Sequence, residues 1–184
     1  MMIMLKYLLT FLLFTGSQTN AQNYTPTDAG SKVHFVIKNF GINTGGDLSG
    51  IKGIIDFFPD NLAECKFDVT VAVSTINTDN GMRDKSLVSD EYFDATKFPL
   101  IHLISTKISK TNKTEDGFFY FIGNLTIKGV TKPISFPFQA KKINGDYLFT
   151  GNFQIERTDF GVGEKNIVLS DEVAVSLSVL AKKN

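Results

Sequence analysis

The chain has 184 residues with 19 basic and 19 acidic side chains, 42% apolar residues, 17 phenylalanines and one cysteine. The charge balance speaks against nucleic acid as a partner, since neutralising a phosphate backbone takes a basic patch. One cysteine excludes an intrachain disulfide, so the fold stands on its apolar core, and the length suits one domain.

Residues 1–21 read as a secretory signal peptide. Lys6 is the only charge, Tyr7–Phe14 is a compact apolar run, and Gly16–Ala21 supplies small and polar residues before a cut after Ala21. The run is far shorter than the roughly 20 apolar residues of a membrane span, so no stable membrane insertion is expected. Residues 22–184 are then one expected domain, periplasmic or secreted.

Beyond a polar leader, Ser31–Lys38 alternates, with Val33, Phe35 and Ile37 on one face. Asp47–Phe58 reads as a second strand in which Gly50 and Gly53 mark a bulge or bend. Pro59-Asp60-Asn61 ends it. Cys65–Ile76 is the third, with Phe67, Val69, Val71 and Val73 sharing a face. The pattern then breaks. Charged residues of better helix propensity around 80–93 predict one or two helical turns. Tyr92-Phe93 beside Phe98-Pro99 would let this excursion cover a barrel end, the alternative being a solvated face.

Strand signals resume at Leu100–Ile108, Phe118–Lys128, Val130–Ile143, Asp146–Arg157 and Glu172–Ala181. Phe119, Phe121, Leu125 and Ile127 face Ile134, Phe136 and Phe138 across a turn at Lys128–Lys132, an aromatic hairpin that must bury one face. Pro133 and Pro137 lie four apart, so their missing N–H groups point the same way. That strand is expected to pair poorly along one side, leaving a seam where the barrel could open to a long ligand. Short loops predict antiparallel neighbours. Eight half-apolar strands bury one face each and lose their edges in a closed eight-stranded antiparallel barrel, with a two-sheet sandwich as the alternative.

No catalytic constellation stands out. His34 and His102 sit on different strands without the spacing of a metal site, and neither a phosphate loop nor a nucleophile elbow is present. Cys65 reads as an inert buried thiol. Arg157 and Asp159 lie two apart near the end of the seventh predicted strand. They are either polar groups at a barrel mouth that orient a ligand or, the preferred reading, an ion pair pinning the strand exit. On the residues alone, a core filled by side chains is favoured over a cavity.

Several blocks resemble the YceI-like family: Gly81-Met82-Arg83-Asp84-Lys85-Ser86-Leu87, Ser89–Asp94 and Phe98-Pro99-Leu100-Ile101; Ser105-Thr106 with Gly123–Lys132; and Arg157-Thr158-Asp159-Phe160-Gly161. Ser86 and Leu103 replace a frequent His and Phe. The resemblance runs from about Ser31 to the chain end. It implies an exported bacterial protein with a lipocalin-like barrel that holds a polyisoprenoid or quinone-type lipid, with no cofactor and no catalysis. The alternative is a stress-related or interaction module with a filled, ligand-free barrel. The candidate lining is Val33, Phe35, Ile37, Phe67, Val69, Val71, Phe121, Leu125, Phe136, Phe138, Phe153, Ile155, Val175 and Leu177. Oligomeric state stays open, a homodimer included.

Overall fold

The structure, a computed structural model, describes residues 22–112 and 117–184. The expected leader and its cut after Ala21 lie outside the described residues. The elements are β1 (Asn23–Asn39), β2 (Ile42–Leu48), β3 (Lys52–Asp56), β4 (Lys66–Ala72), α1 (Gly81–Val88), β5 (Leu100–Lys110), β6 (Phe118–Ile127), β7 (Val130–Ile143), β8 (Asp146–Glu156) and β9 (Leu169–Lys183), with a 3-10 turn at Arg157–Phe160 after β8. All pairings are antiparallel in the order β2-β1-β3-β4-β5-β6-β7-β8-β9, and β1 pairs with β9 to close the ring. The fold is the expected eight-stranded barrel with one further strand and a short helix.

The further strand has a local cause. β1 pairs with β3 through Asn23 and Tyr24 and with β2 through Val33–Asn39, so β2 and β3 lie along the same edge of β1. The predicted second strand, Asp47–Phe58, holds β3 and only the last two residues of β2, which begins at Ile42 and takes Gly45 and Gly46, expected as a turn, into the ladder with β1. Gly50 takes a positive φ of 71° between β2 and β3, open to glycine and strained for a side chain. The Asp28 carboxylate reaches into the break, accepting from the Gly50 N–H (3.1 Å) and the Ile51 N–H (2.9 Å). β1 starts at Asn23 rather than at Ser31, because the leader expected to be irregular pairs with Lys182, Ala181 and Leu180 of β9. Val73–Thr75, expected to continue the third strand, turns into a 3-10 helix instead.

The β6–β7 turn is tighter than expected. Lys128 and Gly129 alone form it, both at positive φ (49° and 76°), the backbone of a two-residue type I′ turn. In such a hairpin the closing pair Ile127–Val130 is hydrogen-bonded, and bonded pairs then recur at every second residue. Even-numbered β7 residues therefore bond to β6 and odd-numbered ones face β8, Pro133 and Pro137 among them. β7 pairs with β6 without interruption from Val130 to Gln139, whereas its ladder to β8 runs only from Phe138 to Ile143. The next bonded position would be Pro137, which has no N–H, and the ladder stops there. A seam thus separates Val130–Pro137 from Asn152–Glu156. Phe136 and Phe153 bridge it with ring centroids 4.7 Å apart, and Lys132 reaches Asp159 at 3.9 Å.

Candidate functional site

The interior is divided. At one end it is packed with rings around Phe57, which follows β3, tucks inward and is 0% exposed. Phe57 meets Phe67, Phe119, Phe138, Tyr147 and Phe149 edge-to-face with centroids 5.0–6.4 Å apart, the arrangement ring quadrupoles favour. Cys65 lies in the same cluster. Its Sγ accepts from the Phe58 N–H at 3.2 Å, and burial pushes the thiol pKa up, so a reactive thiolate is disfavoured.

Beyond this plug the barrel is hollow. A cavity of ≈ 500 Å³ has a floor of Phe67, Phe121, Phe136 and Phe138 and walls from every strand except β7, which supplies only floor, and β2 and β3 near the break. Every residue of the candidate lining faces it: Val33, Phe35 and Ile37 from β1, Phe67, Val69 and Val71 from β4, Phe121 and Leu125 from β6, Phe136 and Phe138 from β7, Phe153 and Ile155 from β8, and Val175 and Leu177 from β9. Many are only half-buried although they point inward, as expected of a wall with no packing partner opposite. Sequence reasoning left out Ile101 and Leu103 of β5, Leu48 and Ile51 around the strand break, and Val173 and Val179 of β9, all of which line the cavity. The same period-2 rule applied to β5 and the ends of β9 would have found four of them. Leu48 and Ile51 depend on the break in the chain.

The open end is ringed by polar groups, Asn39, Thr44, Thr78, Arg83, Ser86 and Arg157. α1 starts where the Asn80 side chain accepts from the Met82 and Arg83 N–H groups, both at 3.1 Å. It is then held down by its own charges. The Arg83 guanidinium donates to the hydroxyl (2.8 Å) and carbonyl (2.7 Å) of buried Thr78, and Asp84 accepts from the Thr78 N–H at 2.9 Å. Leu87, Tyr92 and Phe93 turn toward the cavity, so the excursion covers part of the mouth and its outer face is solvated. Lys128 secures the far side, donating to the carbonyls of Asp90 (2.8 Å), Glu91 (3.3 Å) and Gly161 (3.0 Å).

The pairing expected for Arg157 is corrected. Asp159 is exposed, outside the cavity lining, and pairs with Lys132. Arg157 is buried and bonds Asp171 at 2.9 Å, while donating to the carbonyls of Ser170 (2.9 Å), Val162 (2.8 Å) and Glu164 (2.9 Å). The 3-10 turn rotates successive residues by about a third of a turn, so the two-apart spacing no longer shares a face. Arg157 stitches segment 161–169 to the mouth. The histidines stand apart from the cavity: His34 Nδ1 meets Asp47 at 2.6 Å and His102 Nε2 meets Asp68 at 2.8 Å. Among the described residues no group of His, Cys, Asp and Glu could hold a metal ion, and no helix is long and apolar enough to cross a membrane.

The family model for the YceI-like domain matches residues 24–181. The chain belongs to the YceI-like family. It is 30% identical over 177 residues to a UPF0312 protein of Yersinia enterocolitica and 31% identical over 178 residues to one of Pseudomonas aeruginosa, in each case across 91% of this chain and 90% of the relative. Among solved structures, the YceI protein of Campylobacter jejuni is 31% identical with a TM-score of 0.65, over 76% of this chain and 84% of that one. BcnA of Burkholderia cenocepacia superposes with a TM-score of 0.79 at 24% identity, over 85% of this chain and 99% of that one. A polyisoprenoid binding domain from Saccharophagus degradans superposes at 0.72 with 12% identity, over 89% and 99%. The last two share the fold. In this YceI-like chain the family blocks at 81–101 and 157–161 build the mouth, and the block at 123–132 builds the turn that Lys128 locks against it.

Proposed function

We propose that this protein is an exported carrier that binds one long apolar lipid of isoprenoid or quinone type in the barrel interior and performs no chemistry on it. The observation that carries this reading is the hollow half of the barrel, an apolar chamber whose polar residues, Thr70 and Thr150 apart, gather at its mouth. Such a chamber falls within the size range of small-molecule sites, roughly 300–1,000 Å³. An apolar tail fills the floor and walls while a polar head stays among Thr44, Thr78, Ser86 and Arg83. At ~30 Å³ for each water-sized group, the cavity of ≈ 500 Å³ holds on the order of fifteen methylene-sized units. At about 0.8 kcal/mol each these contribute roughly 12 kcal/mol before the cost of association is subtracted. Tail length and shape then govern affinity more than the headgroup. Family membership and the fold shared with a polyisoprenoid binding domain support the same reading.

Organic extraction and mass spectrometry of the protein purified from its own envelope test it. A stoichiometric long-chain lipid is the expected result. Protein that is recovered empty and takes up no prenyl alcohol of any length would overturn the proposal in favour of a ligand-free interaction module.

A further inference from the structure

The most exposed large apolar side chains of the described residues gather at one end of the barrel. Phe40 (76% exposed) and Ile42 (70%) come from the β1–β2 turn, Met82 (81%) from the first turn of α1, and Ile167, fully exposed, from the segment before β9. The Phe40 N–H donates to the Val168 carbonyl at 2.9 Å and Asn39 pairs with Leu169, which brings the backbone at Phe40 next to the segment that carries Ile167. Each of the four adjoins cavity-lining residues in the chain: Asn39 precedes Phe40, Thr44 follows Ile42 by two, Arg83 follows Met82, and Leu169 follows Ile167 by two. The tips frame the mouth. At the plugged end the corresponding turns present Asp60, Asn61 and Asn144 to solvent.

Phe40 is the telling residue. It sits with Gly41 in a two-residue turn at φ 50°, a left-handed conformation that Asn and Gly adopt with ease and a bulky residue adopts at a cost. Its ring meets water. Strain and exposure together give the folded chain nothing, so its use lies in a contact outside the chain.

We infer that this end docks on the surface of a lipid bilayer, with Phe40, Ile42, Met82 and Ile167 entering the acyl boundary and the mouth facing the leaflet. The inference rests on the reading of the cavity as a lipid site: a tail then passes between leaflet and barrel without crossing water. A second copy of the chain fits the rim less well. A stable dimer buries about 800 Å² on each partner, spread over roughly 20–30 residues, whereas these are four side chains on three separate elements. A fluid leaflet moulds itself around separate tips. Exposed Lys38, Lys85 and Lys165 alternate with exposed Asp79 and Glu164 at the same end, so attachment comes from apolar insertion and needs no anionic lipid.

The chain has no tryptophan, which makes a single-tryptophan reporter clean. Phe40→Trp is expected to shift its emission to the blue when phosphatidylcholine vesicles are added, at low salt and in ~1 M salt alike, whereas Ile143→Trp at the plugged end is expected to stay unchanged. Phe40→Asn, which suits the turn, and Ile167→Ser are each expected to keep the melting temperature of the parent and to lower partition onto the same vesicles by roughly tenfold. No shift at position 40, equal shifts at 40 and 143, or a shift that follows protein concentration without vesicles would overturn docking, the last in favour of a dimer. Lipid content of the same preparations is measured separately by extraction. Occupied protein with no shift at 40 sinks docking and leaves the carrier reading intact; empty protein with a vesicle-dependent shift does the reverse.

Discussion

Arg157 offers the sharpest quantitative test of how the mouth is held. Its side chain is 5% exposed and that of its partner Asp171 is 15%, so solvent screens the pair little. Replacing it by Met keeps the stem and removes the charge. Asp171 is then left in a largely dry site with Lys165 at 3.8 Å, itself 85% exposed, as the remaining cation. The carbonyls of Val162, Glu164 and Ser170 lose their common donor. Removing one member of a buried pair destabilises by about 3–5 kcal/mol, and the orphaned carbonyls place Arg157→Met in the upper half of that range. At 2–4 °C per kcal/mol for a domain of this size, the melting temperature is expected to fall by roughly 8–20 °C. Arg157→Lys keeps the charge and loses the planar fork, so about half the loss is expected. Urea unfolding followed by circular dichroism gives the free energies, and a double-mutant cycle with Asp171→Asn isolates the pair. A loss below about 1 kcal/mol, the worth of an exposed ion pair, would show that the fork does not hold segment 161–169.

Val175 lies on the cavity wall paired across to both Phe35 and Phe153, so Val175→Phe is expected to take up the space of about four methylene-sized units, weaken prenyl-alcohol binding by roughly a hundredfold at about 0.8 kcal/mol each and change stability by no more than about 1–3 kcal/mol; undiminished binding would count against the cavity as the site. Along the seam, the Gln154 amide faces β7 beyond the end of its ladder, while Phe153 and Ile155 pair toward β9. Hydrogen exchange is expected to be fast at Gln154 and slow at Phe153 and Ile155, and equal protection would mean that the seam is closed. Burial pushes the Tyr24 phenol above its ordinary 10.0, helped by Tyr147 and Asp146, and burial likewise raises Tyr147, helped by Asp60. Both prefer the neutral form when folded. Their contribution is complete below the unfolded value and is lost as pH rises from about 10 toward the folded values. Tyr24→Phe with Tyr147→Phe is expected to flatten alkaline unfolding measured between pH 9 and 12; an unchanged profile would place the titration elsewhere.

Much of this protein was legible in the chain because the relevant signals are local. Strict alternation assigned fourteen wall residues to the inside of a barrel whose pairing partners were unknown, since a strand turns successive side chains to opposite faces whatever lies beside it. Pro133 and Pro137 announced the seam for a similar reason: a missing N–H is a property of one residue, and their spacing aims both gaps at the same neighbour. Tertiary structure decided the rest. Gly50 could be read as a bend, but the split into β2 and β3 depends on Asp28 arriving from β1 to cap the break. The leader became strand because β9 lay alongside it, which a polar sequence with Pro26 does not reveal. The Arg157 partner was read from chain spacing as Asp159, and a single 3-10 turn was enough to hand it to Asp171. Above all, the phenylalanines, which on the residues alone favour a filled core, are sorted only in space. Phe57 swings inward to consume one end of the barrel, while the rings of Phe35, Tyr92 and Phe93 line the other without filling it, so half of the apolar interior remains open.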